Sequence, residues 1–433
     1  MIFTPRLLWV TLGLALAVVV LPGLFWLWMV LLAALILADV LLAGSPRRLK
    51  VVREPVGPLR SSETTTAGTR VENSGARALR GWVKDGWQPT AGAEDGLQRL
   101  QVSAGGATTV QVRLTPKRRG NLRSEHITIR SIGPMGLAGR QVVHHVAHEL
   151  RVLPEFRSRR HLPSKLRRLR ELDGTTAVQL RGAGTEFDSL RDYVRGDDVR
   201  SIDWRATARR QDGAGGHLVV RTWRPERDRR VILCLDASRT SAARVEDEPR
   251  LNAGIEAALL LGALASSAGD RVDFMAFQRQ LVARASSSER GDFLNLMATS
   301  MAPVEPVLVE ADFSQLPAQV AAVSSHRSLV VVLTALDSAS LQEGLLPVLP
   351  TLTAKHRVVV ASVQDPELQR RGQQRGTAAQ VYRAAAAERT LIEHRTVAAE
   401  LSAMGVEVVE AAPEELPPAL ADAYIRLKAT GKL

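Results

Sequence analysis

Two apolar runs near the start of the chain, Leu7 to Leu21 and Leu24 to Ala43, constrain it most, because no later segment approaches their hydrophobicity. Pro22 and Gly23 separate them, and a Pro-Gly pair is a turn signal. One helix through both would run to roughly 55 Å at 1.5 Å per residue, against a hydrocarbon core of about 30 Å. The runs therefore predict a transmembrane helical hairpin over residues 1–45. No small-residue cleavage site follows the first run, which argues against a secretory signal. Arg6 precedes the pair, Arg47, Arg48, Lys50 and Arg53 follow it, and the turn is uncharged. By the positive-inside rule both ends, and everything after residue 45, are expected in the cytoplasm, as in a multi-pass cell-membrane protein. Asp39, near the end of the second run, reads as solvated or paired at the interface rather than as part of a proton path. The lone Cys234, inside an apolar run, fits a reducing compartment and excludes an internal disulfide.

At 433 residues the chain has room for further domains. Over residues 50–154 the texture is short and alternating. TTVQVRLTP (Thr108 to Pro116) and HITIRS (His126 to Ser131) carry the two-residue period of half-buried strands, and Asn73-Ser74-Gly75 and Gly105-Gly106 supply turns. This predicts a β-sandwich of immunoglobulin-like kind. His144, His145 and His148 form an H-H-x-x-H cluster, but neighbouring strand residues point to opposite faces, so the three are expected to be strand residues and not a zinc site. Residues 155–229 hold a basic linker and a charged motif. The chain's formal charge is +12, and Arg157, Arg159, Arg160, Lys165, Arg167, Arg168 and Arg170 crowd together in the linker. Membrane lipid headgroups or an acidic partner are the expected contacts of such a cluster. Nucleic acid is disfavoured, because few aromatics accompany the basic residues to stack on bases.

From residue 230 to 433 the period changes. RVILCLDAS, RVDFMAF, SLVVVLTAL and HRVVVASV are branched apolar runs of the kind found in strands covered on both faces, and helical stretches lie between them. The alternation predicts an α/β, doubly wound open sheet, in which ligands bind beyond the carboxyl ends of the strands. The first strand ends in Asp236-Ala237-Ser238-Arg239-Thr240, where one carboxylate and two hydroxyls are hard oxygen ligands suited to Mg²⁺. The D-x-S-x-T loop resembles the metal-ion-dependent adhesion site of von Willebrand factor A domains. That resemblance implies two further ligands: a threonine from an intervening loop, for which Thr299 is the candidate, and an aspartate directly after the later strand, where this chain has Ala335 with Asp337 two residues on. The alternative is that Asp236 caps its own loop and the hydroxyls satisfy backbone groups.

The motif before that strand, GTEFDSLRDYVRGDDVRSIDWRATAR, sets six carboxylates among five arginines. Asp197 and Asp198 read as the N-cap and first-turn acid of one short helix. Val199, Ile202 and Ala206 would line one face of that helix. Asp203 would reach Arg200 or Thr207, and Trp204, on the opposite face, would pack against another element. Neighbouring guanidinium groups depress carboxylate pKa values, whereas a general acid or base needs them raised, so the acids read as struts.

The run from Gly184 to Arg209, followed by LVVRTWRPERDRRVILCLDASRT, resembles the signature of the bacterial family called domain of unknown function 58. The segment RRGNLRSEHITIRSIGPMGLAGR is similar to that family's sandwich, with Gly133 in place of an aspartate before Pro134. The resemblance makes Glu186, Arg191, Tyr193, Gly196, Asp197, Arg200, Asp203, Trp204, Ala208, Arg209 and Glu226 the motif positions. It implies a von Willebrand factor A-like domain in a membrane-anchored protein that works with a MoxR-type AAA+ ATPase and, in places, a transglutaminase-like membrane protein. It brings no enzymatic activity. The expected function is thus an adaptor or scaffold and not an enzyme. The alternatives are an Mg-dependent hydrolase using Asp236 and motif acids, and a basic nucleic-acid-binding protein.

Overall fold

The computed structural model describes residues 2–179, 186–195, 197–209, 218–224, 229–287, 292–337, 341–431 and 433. The chain divides into two compact units, Met1–Glu155 and Phe156–Leu433.

The first unit opens with helices Pro5–Val20 and Phe25–Leu42, joined through a 3-10 turn at Pro22–Leu24. Among the described residues, by length and composition only the helical stretch Pro22–Arg48 suffices to cross a membrane, and just 11% of its apolar window is buried. Pro5–Val20, with 16 residues, is apolar but shorter than that. Two sheets follow. One joins Ile2–Phe3, Ala138–Leu153, Gly120–Ile132, Leu79–Trp87 and Leu97–Val102 in that order, with Leu59–Arg60 beside the end of Ala138–Leu153. The other joins Leu49–Arg53, Thr65–Asn73, Ala107–Leu114 and Ala93–Glu94. Val71 and Val110 from the second sheet meet Val83, Leu100, Ile127 and Ile129 from the first, so the inward set of each alternating strand closes a shared core.

Two buried polar devices interrupt this apolar order. Arg53, which the sequence places among the cations flanking the helices, is turned inward instead. Its guanidinium grips both oxygens of Asp85 at 3.0 and 2.8 Å, and each side chain is only 4% exposed. Ser124 Oγ and Trp87 Nε1 donate to the same carboxylate, and Arg53 also donates to Ser124 Oγ and to the Val146 carbonyl. The second device is Asp39, which is wholly buried. Its carboxylate accepts the backbone N–H groups of Met135, Leu137 and Ala138 at 2.7–2.9 Å. Thr4, ahead of the first helix, bonds to the same turn through its N–H to Leu137 O and its hydroxyl to Gly136 O. One turn thus holds both helix ends. Gly133 is required there, since a Cβ would lie 2.2 Å from Asp39 Oδ1.

The second unit is built on a six-stranded sheet. Its order is Leu281–Ser286, Arg271–Phe277, Arg230–Asp236, Leu329–Leu333, Arg357–Val363, Glu407–Ala411, and only the first of these runs antiparallel. In sequence terms that is 3-2-1-4-5-6, with the direction of winding reversing between Arg230–Asp236 and Leu329–Leu333. Helices cover both faces. Ile232, Cys234, Val330 and Val332 pack with Leu316, Val320, Leu349 and Val397 on one side. Helix Arg250–Ser267 lies on the other, where Gly254 lets it approach Leu235. Cys234 is fully buried, which pushes its thiol pKa up and leaves it an inert core residue.

Much of the basic linker is answered within this unit. Arg157 pairs with Glu248, Arg160 with Glu414, and Lys165 and Arg168 both with Asp422, while Glu256 caps the backbone of Arg157 and Ser158. The sequence reads this cluster as meeting lipid headgroups or an acidic partner; four of its cations already hold carboxylates of this unit.

Candidate functional site

Parallel sheets place ligands at the carboxyl edge, where the strand order reverses. In this chain that point lies between the ends of Arg230–Asp236 and Leu329–Leu333. Asp236 ends the first strand, and its side chain is wholly buried. Its Oδ1 accepts the Ser238 N–H at 2.8 Å; its Oδ2 accepts the Thr240 hydroxyl at 3.1 Å and the Thr334 hydroxyl at 2.6 Å. Ser238 Oγ lies 3.3 Å from Thr240 Oγ1, and Ser241 donates to the Asp236 carbonyl. The loop is fixed from outside by Arg239 N–H to Val309 O and Val307 N–H to Ala237 O.

The three residues picked from the D-x-S-x-T spacing, Asp236, Ser238 and Thr240, therefore come together, and Thr334 joins them. Thr299, the candidate fourth ligand from the sequence, lies instead within helix Phe293–Met301. Thr334 could have been found from position alone, as the first residue past the strand that flanks the reversal. The donor set is one carboxylate and three hydroxyl oxygens, all hard and all within one cluster, which fits Mg²⁺ in chemical type. It holds a single carboxylate, and the residue after Thr334 is Ala335. Among the described residues no group of three or more His, Cys, Asp or Glu side chains is arranged to hold a metal. Sequence also gives no sign of Arg250, which sits beside this loop. Its guanidinium donates to Thr240 O at 3.4 Å, and burial pulls its pKa down against the opposing charges of Asp365, Asp337 and Glu410.

The charged motif forms its own small structure. Strands Glu186–Asp192 and Val219–Arg224 pair antiparallel, with Glu186 opposite Arg224 and Leu190 opposite Arg221. Arg191 forks onto Asp197 at 2.8 and 2.6 Å, and Asp197 also accepts the Val194 N–H, so its carboxyl is held below the ordinary range, chiefly by the Arg191 hydrogen bonds. Tyr193 is held to the return strand through its N–H to Leu218 O. The single helix expected from Asp197 onward is in fact two pieces. Asp198 caps a 3-10 turn at Val199–Ser201 through the Arg200 N–H, and Asp203 begins a separate helix, Trp204–Arg209, accepting the Arg205 and Ala206 N–H groups. Asp203 pairs with Arg221 of the return strand at 2.8 Å, not with Arg200 or Thr207, and the Ala206 N–H and Arg221 depress its pKa. The break follows from Ile202, which bridges to Val220 as a strand residue would.

Among the described residues Trp204 does not pack against another element as expected. It is 65% exposed, and Val194 and Val199 are nearly as open. Thr207, buried and bonded to the Val219 N–H, takes the side of the helix that faces the strand. Arg200 and Arg209 are exposed. Gly196 and Glu226 lie outside the described residues. In the sandwich, the three histidines do not converge: His144 contacts Pro46 O, His148 stacks edge-on against Trp87 at 5.8 Å, and His145 is exposed.

Fold and site together define a class: a winding α/β sheet whose reversal point is closed by an aspartate and its hydroxyl partners, preceded by an ion-paired hairpin. Residues 189–396 match the family described as "Protein of unknown function DUF58", just under half the chain, and the match supports membership of that family. No curated protein matches the chain. Among solved structures, the ASH/PapD-like domain of human CEP192 is similar at 10% identity with a TM-score of 0.18, over 24% of this chain and 85% of that one. The YadV chaperone is similar at 17% identity with a TM-score of 0.18, over 27% of this chain and 57% of its own length. Neither likeness, at that score, bears on the fold or the function.

Proposed function

We propose that this chain is a membrane-anchored, cytosol-facing adaptor of the bacterial inner membrane, with its apolar helices as a two-span hairpin and its α/β unit as a von Willebrand factor A-like domain. That domain docks a MoxR-type AAA+ ATPase or its client, with a transglutaminase-like membrane protein as a further partner. It is not an enzyme on this reading. One observation carries the reading: the acids that could do chemistry are already engaged. Asp236 accepts three hydrogen bonds, and Asp197 and Asp203 are held ionised by arginines and backbone N–H groups, with pKa values moved away from those of a proton-transfer group. Exposed Val194, Val199 and Trp204 beside those acids are the kind of surface that recognition uses.

The fourth oxygen from Thr334 favours one addition: Asp236, Ser238, Thr240 and Thr334 would hold Mg²⁺, which would supply a Lewis-acidic position for a partner's carboxylate. The test is co-purification of the full chain with the ATPase from the same cells, with ATP turnover measured with and without the chain. Trp204→Ala should weaken both effects while leaving the hydrogen-exchange pattern of the sheet intact. Metal-dependent hydrolysis by the isolated full chain, abolished by Asp236→Ala, would replace the adaptor with a hydrolase.

A further inference from the structure

The outer face of the sandwich's larger sheet is cationic along its whole middle. Inward-facing Val83, Leu100, Ile127 and Ile129 are buried, so the alternate residues of the same strands face out. Strand register aligns them in rows: Arg99, Trp82, Arg130 and Gln141 in one, and Leu97, Lys84 and Thr128 in the next. Arg80 extends the first set one row farther. No aspartate or glutamate occupies these rows, and no ion pair involves Arg80, Lys84, Arg99 or Arg130 among the described residues. Several arginines on other strands of this unit are paired instead. Arg70 pairs with Glu72, Arg113 with Glu94, and Arg123 and Arg151 with Glu149.

This face is also hollow. A groove of about 330 Å³ opens between Trp82, Lys84, Leu97, His126 and Arg130. Gly86 forms part of its lining, and a Cβ there would meet His126 O at 2.8 Å, so the close approach of the two strands depends on glycine. Arg130 is oriented by donating to Gln141 at 2.8 Å, and Arg99 lies over Trp82 at 5.4 Å from the ring centroid.

We propose that this groove binds an acidic peptide segment of a partner protein, its carboxylates meeting Lys84 and Arg130 and an apolar side chain resting on Trp82 and Leu97. Charge complementarity selects an anion, since four unanswered cations share one face. Shape and chemistry select a peptide. A flat headgroup layer does not enter a groove. A single-stranded nucleic acid needs aromatic faces in series, and the lining of this groove holds one tryptophan, Trp82. This surface lies in the first unit and stands independently of the docking role assigned to the α/β domain.

The test uses the full chain in nanodiscs of zwitterionic lipid, with fluorescence anisotropy of a labelled oligoglutamate peptide. Binding should weaken as salt rises. The double variant Lys84→Glu/Arg130→Glu should lose affinity by about tenfold or more, whereas Arg159→Glu/Arg167→Glu, which makes the same charge change on the basic linker, should leave it within about twofold. Trp82→Ala, which leaves the cations in place, should also weaken binding. Equal losses in the two double variants would show attraction to net charge alone and overturn the proposal. So would no binding by the unaltered chain, or displacement of the peptide by an oligonucleotide or by phosphatidylserine vesicles acting through Lys84 and Arg130.

Discussion

Replacing Asp236 separates two ways in which its network could contribute. In Asp236→Ala, the Ser238 N–H and the hydroxyls of Thr240 and Thr334 lose their acceptor in a fully buried position. A buried donor left unsatisfied costs about 1–3 kcal/mol. The hydroxyls can turn toward other acceptors, as the 3.3 Å contact between Ser238 and Thr240 illustrates, but the N–H cannot. The expected destabilisation is therefore about 2–4 kcal/mol. Asp236→Asn behaves differently. Its amide oxygen can keep the Ser238 N–H, and its NH₂ can donate to the Thr240 and Thr334 hydroxyls once those turn to accept. That change should cost only about 1 kcal/mol. Native-state hydrogen exchange on the full chain reads both through the amides of Arg230–Asp236. Opening should become roughly 30- to 700-fold more favourable in the alanine variant and about fivefold in the asparagine variant. Equal exchange in Asp236→Ala and the unaltered chain would refute the claim that the network holds the loop.

Arg53→Met should destabilise the sandwich by about 3–5 kcal/mol, measured as lost exchange protection in Gly120–Ile132, because it leaves the buried Asp85 carboxylate without its counter-ion. Acid should act on the sandwich and on the charged motif in different windows. In the sandwich, burial, aided by the Arg53 charge, pulls the His148 imidazole below its ordinary 6.5 against the opposing Asp85. The unfolded chain then binds the extra proton, so this contribution is full above 6.5 and is lost as pH falls below it toward the lowered value. Asp197 and Asp203, held below the ordinary 3.8, lose theirs only in more acid solution, as pH falls through their depressed values. Exchange followed against pH should show the sandwich loosening before the motif, and the opposite order would contradict both assignments.

What could be read from the sequence follows from how local each signal is. SLVVVLT and HRVVVASV announce buried parallel strands because the consecutive residues at their centres, LVVVL and VVV, are all apolar and branched, and Leu329–Leu333 and Arg357–Val363 are those strands. The edge strand Leu281–Ser286 gives no such signal, since it is covered on one side only and reads as LVARAS. Asp236, Ser238 and Thr240 are legible because they lie within five residues of one another. Thr334 is 98 residues away and enters only through strand order. Charge is the least legible property of all. Arg53 and Lys165 look like any surface cation in the sequence, yet their partners Asp85 and Asp422 are fixed by the fold. Arg221, the partner of Asp203, is visible only once the hairpin register is known.

Asp39 shows how the same chemistry gives a different outcome when the donors are backbone. Both of its oxygens face N–H groups, Met135 on Oδ1 and Leu137 and Ala138 on Oδ2. An amide N–H cannot rotate to become an acceptor, so Asp39→Asn must set an NH₂ against at least one of these donors. Asparagine should therefore fail at position 39 where it is tolerated at position 236, with a cost of about 2–4 kcal/mol, approaching that of Asp39→Ala. The exchange rates of the Met135, Leu137 and Ala138 amides in the full chain report this directly. If Asp39→Asn leaves those amides as protected as aspartate does, the carboxylate is not what ties the second helix to the sheet turn. The contacts of Thr4 with Gly136 and Leu137 would then hold that junction without it.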